Sequence, residues 1–260
     1  MSPDDLSPSL ITDNLGTSFI GRRVLYFPRL PSTMDVARQE AQKGAAAGTV
    51  ILAGEQTRGR GRVGRTWLTP PGNIALSVIL RPDITHLPYL IMLASLALVG
   101  SIEKVTGLKT QVKWPNDVLI RGEKVAGILI ENELRGGRVA YAIIGIGINV
   151  SLGPGDKAAI PAATTSLNEV VGREISRIAV VRQLLMEMER WYLTLTDGES
   201  IYQAWRGRLV TLGKRVSVAS GESQLEGIAE SVDKSGALML RQSDGSLVKI
   251  VAGDIRVGER

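Results

Sequence analysis

The chain contains no cysteine. Disulfides, thiolate metal ligands and a cysteine thioester intermediate are therefore excluded, and this usage fits a reducing cytoplasm. Histidine is nearly absent: His86, beside Leu87-Pro88 in a connecting segment, is the only one. A single imidazole builds no histidine zinc cluster and argues against a Ser-His-Asp hydrolase, so His86 reads as structural or exposed. No Walker A sequence occurs, so any use of ATP is not of the P-loop type. Aromatic residues make up 4%, which leaves the core to Ile, Leu, Val and Ala. The N-terminus lacks the basic start and apolar run of a signal peptide. The apolar stretch from Leu90 to Gly100 covers about three helical turns, short of a membrane span.

What is present is ordinary for a globular chain: 260 residues, 44% hydrophobic and 22% charged. That length predicts one large catalytic body with room for a small appendix. The net charge of +5 is modest for this size and does not by itself imply nucleic acid.

The order of local patterns divides the chain into a flexible polar leader (1–21), a mixed α and β body (22–211) and an all-β tail (212–260). In the body, Val24–Phe27 and Val50–Ala53 read as strands. Between them Ser32 can cap an Ala-rich helix running to Ala47, with Asp35 placed as in a capping box. Asn73–Leu80 reads as a strand and Pro88–Thr106 as a mostly buried helix. The runs Gln111–Trp114, Val118–Ile120, Val125–Glu131 and Val139–Asn149 are joined by short polar turns, which favours antiparallel pairing. Leu184, Leu185, Met188, Trp191, Tyr192 and Leu195 give helical spacing within 175–196, and Ser200–Arg208 is a shorter helix. In the tail, strand-like runs at 215–219, 224–232, 237–240, 247–251 and 255–257 are split by Gly and Ser turns, as in a small β-barrel.

The densest chemical signal lies in Gln56–Trp67, where Arg58, Arg60, Arg62 and Arg65 are interleaved with Gly59, Gly61 and Gly64. Guanidinium groups suit phosphate and carboxylate, and glycines let backbone N–H groups approach an anion. The segment 57–72 has no usable period and reads as a long mobile loop able to close over a reactive phosphate ester. Three other readings stand beside this one: a dinucleotide-type glycine pattern, which lacks the helix it should open; a solitary Arg-Gly RNA-binding segment; and a solvated surface loop.

Further along, Lys113-Trp114-Pro115-Asn116-Asp117 presents Asn116 and Asp117 from a stiffened turn. Asp117 is suited to bind Mg²⁺ or accept a proton, or simply to bond its own turn. Lys124 stands before the apolar run 125–131, where it either meets a carboxylate and phosphate or guards a strand. Gly145-Ile146-Gly147-Ile148-Asn149 closes another strand, and its glycines permit close approach of a ligand or of backbone.

In this order, Ser32-Thr33, Gln56 with the Gly59–Trp67 loop, Lys113–Asp117, Lys124–Glu131 and Gly145–Asn149 resemble the biotin protein ligase family over about residues 22–257. The resemblance implies an α+β catalytic body like that of class II aminoacyl-tRNA synthetases, with a mixed, largely antiparallel sheet, plus a small C-terminal SH3-like β-barrel. It implies adenylation of biotin by ATP with Mg²⁺, then transfer of biotin to a lysine of a biotin carboxyl carrier protein. Catalytic roles fall on Lys124, Asp117, Arg60 and Arg62. The biotin site is expected from Ser32, Thr33, Gln56, Arg60, Gly61, Arg62, Lys124, Gly127, Gly145 and Gly147. The ATP and adenylate site is expected from Gly59, Arg62, Arg65, Trp67, Lys113, Asn116 and Asn149, with Asp117 as the Mg²⁺ candidate.

Met34 departs from the pattern, because many members carry Asn there. About twenty residues precede the body, too few for a winged helix-turn-helix, so the expectation is a monofunctional ligase with no specific DNA binding and no membrane association. The resemblance allows a monomer or a homodimer. A lipoate- or octanoyl-transferring relative is the sister alternative, and a nucleic-acid module using the basic loop is the alternative from another class.

Overall fold

The structure, a computed structural model, describes residues 6–160, 163–220 and 223–257. Met1–Asp5 of the expected leader, the turn expected at Gly221 and residues 258–260 lie outside them. In chain order the elements are α1 (Pro8–Thr12), β1 (Val24–Phe27), α2 (Thr33–Gln42), β2 (Val50–Ala53), β3 (Ile74–Leu80), α3 (Leu90–Thr106), β4 (Gln111–Lys113), β5 (Asp117–Ile120), β6 (Glu123–Arg135) and β7 (Arg138–Ile148). They continue with α4 (Pro154–Ala158), α5 (Leu167–Val171), α6 (Arg177–Tyr192), α7 (Gly198–Arg206), β8 (Arg215–Ser220), β9 (Ser223–Val232), β10 (Leu238–Arg241), β11 (Leu247–Ile250) and β12 (Asp254–Val257).

The short polar turns at 121–123 and 135–138 fold as hairpins, and the apolar runs around them pair into a seven-stranded sheet of order β1-β2-β3-β7-β6-β5-β4. Only β1 and β2 run parallel; the other neighbours are antiparallel. Side chains alternate across this sheet, and each face meets different helices. Leu52, Leu76, Val78 and Ile144 join the large core with α3 and α6. Ile51, Ala75, Ile79 and Ile143 face α2 through Met34, Ala37 and Ala41. With α2 as its main helical cover, the second face leaves room for a site.

The tail forms a five-stranded antiparallel sheet of order β11-β10-β9-β8-β12, the SH3-like appendix expected from the short, turn-punctuated runs. It is tied to the body at Trp114, whose backbone N–H donates to Thr211 Oγ1 and whose Nε1 donates to the Gly236 carbonyl at 2.8 Å. Tyr202 Oη adds a bond to the Val232 carbonyl.

Several expectations need correction. Where described, the leader is packed rather than flexible: Leu6, Ile11, Leu15 and Ile20 are buried, each contributing on the order of 2 kcal/mol of apolar burial. Arg182 binds the carbonyls of Leu10, Ile11, Asp13 and Asn14. Glu189 accepts from the N–H groups of Ser18, Phe19 and Ile20. Burial pushes the Glu189 carboxyl up, but these bonds outweigh it and hold the group below the ordinary range.

Helix α2 stops at Gln42 instead of reaching Ala47. Gly44 has a positive φ of 89°, and Arg81 takes up the carbonyls of Ala41 and Ala45. Ser32 is the N-cap residue, but its side chain makes no capping bond, and Asp35 turns outward to arginines, so no capping box closes. The stretch Ile84–Thr106 does have the length and mean hydropathy, 1.6, of a candidate span. It is a turn containing Pro88 followed by α3, a core helix whose side chains from Leu90 to Ile102 are largely buried. Helices α4 and α5 were not anticipated.

Candidate active site

The site begins with missing side chains. On the α2 face, Ala75, Gly147 and Gly127 are direct partners across β3, β7 and β6, and Ser77, Gly145 and Leu129 form the next row. Three of these six positions are glycine, which cuts a trough into the sheet. The chain fills part of it. A Cβ at Gly145 would stand 2.5 Å from Met34 Sδ. A Cβ at Gly127 would stand 2.9 Å from Trp67 Cζ3, and one at Gly147 would overlap the indole outright. The strand glycines thus serve close approach, as expected, and one occupant is the chain's own Trp67.

At one end of the trough lies a polar cluster. Gln56 Oε1 accepts from Thr33 N (2.8 Å) and Thr33 Oγ1 (3.1 Å), and its Nε2 donates to Thr69 Oγ1. Ser77 Oγ bonds Thr33 Oγ1 at 2.8 Å. Ser32 Oγ, next to this network, is buried with no hydrogen-bond partner among the described residues. A buried hydroxyl without a partner is costly, so it is a natural contact for a polar ligand atom.

At the other end Lys124 Nζ contacts Asp117 Oδ1 at 2.6 Å and lies 5.1 Å from the Trp67 ring centroid. The β5–β6 hairpin brings the two residues together. Asn116 Nδ2 donates to the Ile128 carbonyl and fixes the turn that presents Asp117.

The segment 57–69 forms a hairpin-like fold over the trough, pinned by bridges between Arg60 and Thr66 and between Gln56 and Thr69. Trp67 N donates to the Gly59 carbonyl at 2.9 Å. Arg62 donates to Asn116 Oδ1 and to the Gly253 carbonyl, and Arg65 pairs with Asp254 at 2.6 Å. Burial lowers the Arg62 guanidinium from its ordinary value, opposed by the nearby charges of Asp254 and Asp117.

Two cavities result. The first, about 120 Å³, runs from Ser32, Thr33 and Gln56 past Arg60, Gly61 and Arg62 to Asn116, Asp117 and Lys124, over Gly127, Gly145 and Gly147. The second, about 520 Å³, is more apolar and lies beside Leu68, Asn149, Ala159 and Ile160. Arg65, Thr66, Trp67 and Lys124 border both. Asn149 is buried, held by a side-chain bond to the Thr165 carbonyl at 3.3 Å.

Two expected site residues lie outside both linings. Gly59 packs against the Trp67 carbonyl and the Gln56 side chain, where a Cβ would collide. Lys113 sits on β4, paired in register with Asp117. Sequence reasoning missed Met34 as a wall, Ile160 in the second cavity, and Asp254, which reaches the first cavity from the tail. Among the described residues there is no group of three or more acidic or histidine side chains able to hold a metal by themselves.

Comparison with known proteins matches residues 26–149 to the biotin/lipoate A/B protein ligase family and 211–258 to the biotin protein ligase C-terminal domain. The chain is 37% identical to a bifunctional ligase/repressor of Bacillus subtilis over 98% of its own length and 80% of that protein. It is 37% identical to a biotin–[acetyl-CoA-carboxylase] ligase of Paracoccus denitrificans over 86% of its length and 98% of the relative. The structure of the Aquifex aeolicus biotin protein ligase in complex with biotin and ATP superposes with a TM-score of 0.75 at 25% identity, over 92% of this chain and 100% of that one.

Proposed function

The chain belongs to the biotin protein ligase family, and from that premise we propose that it joins biotin to ATP as biotinyl-5'-AMP and passes the biotin to a lysine of a carboxyl carrier protein. The observation that carries this reading is the meeting of two cavities at Lys124, Arg65 and Trp67. A two-substrate adenylation needs such a junction: an acid held on one side, a nucleotide on the other, and cations where carboxylate and α-phosphate meet.

The polar end of the first cavity supplies the acid site. Ser32 offers its free hydroxyl to the biotin head group, while Gln56 and Ser77 fix Thr33 beside it. The second cavity takes the adenosine, with Trp67 and Ile160 as apolar walls and Asn149 as its directional polar group. At the junction Lys124 offsets the negative charge gathered when the carboxylate attacks the α-phosphate and pyrophosphate leaves. Arg62, held between Asn116 and Gly253, covers the same region. The hairpin excludes water from the mixed anhydride.

Mg²⁺ commonly takes one or two carboxylates and completes its shell with substrate phosphates and water. Asp117 beside the junction fits that role, since a single carboxylate suffices and Asp254, the other acid of the lining, is paired with Arg65. When bound, the ion supplies neutralisation of phosphate charge. In transfer, the acceptor amine must lose a proton although its ordinary pKa is about 10.4, and in this reading Asp117 accepts or relays it.

ATP–pyrophosphate exchange tests the reading. Exchange should depend on biotin and should not be supported by lipoate or octanoate. Exchange with lipoate or octanoate alone would move the protein to the sister activity, and no exchange with any acid would overturn the proposal.

A further inference from the structure

The hairpin over the first cavity is fastened by a charge network that joins Arg60 to three residues outside the expected site. Arg60 Nη1 contacts Asp35 Oδ1 at 3.0 Å and Glu131 Oε2 at 3.3 Å, and its Nη2 bonds Glu131 Oε1. Arg38 Nη2 bonds the other oxygen of Glu131 at 2.5 Å, and its Nη1 lies 3.5 Å from Asp35 Oδ1. The four residues therefore close a ring of alternating sign, Asp35–Arg60–Glu131–Arg38. The ring ties three separate elements together: the start of α2, the loop and β6. All four side chains are partly exposed, from 25% at Glu131 to 45% at Asp35.

We propose that Asp35 and Glu131 are positioning residues of the ligase, which hold Arg60 in this ring and so clasp the arginine loop shut over the acid cavity. The inference rests on the ligase reading above. Isolated exposed ion pairs are worth little, but a closed network with a guanidinium held by two carboxylates is the exception. Position supports the clasp. Arg60 also lines the cavity, and its backbone bridges Thr66, so holding Arg60 holds both arms of the hairpin. The tip is held separately by Asp254 through Arg65. With the Arg60 nitrogens engaged by protein carboxylates, Arg62 is left as the loop's main cation for ligand. The clasp keeps the reactive anhydride in place, and its partial exposure makes it sensitive to salt.

The test uses Glu131→Gln, Arg60→Gln and the double variant, with Asp35→Asn as an independent second lesion should Glu131→Gln fail to fold. Trypsin cleavage within 58–65 of the ligand-free protein reads loop opening. Escape of preformed biotinyl-5'-AMP reads retention, and single-turnover adenylate formation reads chemistry. Glu131→Gln should speed both cleavage and escape about tenfold, the scale of a charge-assisted hydrogen bond, and change formation by less than about threefold. The double variant should be no faster than the single ones, because both break one ring. Added salt should speed cleavage of the wild type and leave Glu131→Gln almost unchanged.

Unchanged cleavage and escape, or additive effects in the double variant, would overturn the clasp. Formation falling in step with escape would overturn it too, since that places Glu131 at the reacting atoms. Absence of biotin-dependent exchange in the wild type would defeat the ligase reading separately, and the trypsin result would still judge the ring.

Discussion

Gly147→Ala adds one methyl group at the centre of the trough. The new Cβ would stand 2.7 Å from Trp67 Cζ2 and overlap Nε1 and Cε2. Ordinary contacts lie at about 3.5–4.0 Å, so the indole must retreat by about 1.5 Å. Overpacking a rigid core would cost about 1–3 kcal/mol of stability. Trp67, however, is half-buried and sits on the hairpin, so the strain is relieved by lifting the loop instead of distorting β7. The melting temperature should therefore stay close to that of the wild type. Function should not, because Trp67 borders both cavities and lies against Lys124. A misplacement of about 1 Å at such a junction costs on the order of 100-fold in rate. The assay is kcat/KM for biotin-dependent pyrophosphate exchange, with a thermal melt on the same sample. In a Trp67→Ala background the three atoms nearest the new methyl group are gone, so its further cost should be small. A Gly147→Ala enzyme within about threefold of wild type, or a full penalty that persists without the indole, would refute the argument.

Three further outcomes follow from single groups. Ser32→Ala removes a buried hydroxyl that has no partner among the described residues, so thermal stability should hold while KM for biotin rises about 3- to 10-fold, the worth of one neutral hydrogen bond. Asp117→Ala should slow transfer from preformed biotinyl-5'-AMP by about 100-fold, and raising the pH should recover part of the loss by deprotonating the acceptor amine; undiminished transfer would remove Asp117 from the proton path. In the tail, burial pushes the Asp233 carboxyl up, but bonds from Lys249, Ser235 and Ala237 outweigh it and bring it from 3.8 down to about 2. A depressed carboxylate stabilises the fold above its unfolded pKa and loses that contribution as pH falls through the folded one. Asp233→Asn should therefore cost roughly 1 kcal/mol near neutral pH after solvent screening is allowed for, and urea midpoints of variant and wild type should converge as pH falls from about 4 to about 2.

How far this molecule is legible in its sequence depends on the range of each contact. The β5–β6 and β6–β7 hairpins could be read because their signal is local: an apolar run, a short polar turn and a second run. The same locality placed Lys124 near Asp117, with six residues between them across one turn. The leader could not be read that way. Its own residues are polar enough to look loose, and its order comes from Arg182 and Glu189, about 170 positions away. Asp254 escaped notice for the same reason, since it reaches the first cavity through the docking of the tail against the body, in which the Trp114 indole takes part. The capping box at Ser32 shows a subtler failure. Both residue types are present at the right spacing, yet Asp35 turns its carboxylate to Arg60 and Arg38, and the Ser32 hydroxyl makes no bond to the helix N-terminus. A local rule was overridden where a ligand hydroxyl and a loop clasp are both needed. Such conflicts between local preference and tertiary arrangement gather at functional sites, and here the override marks the entrance to the acid cavity.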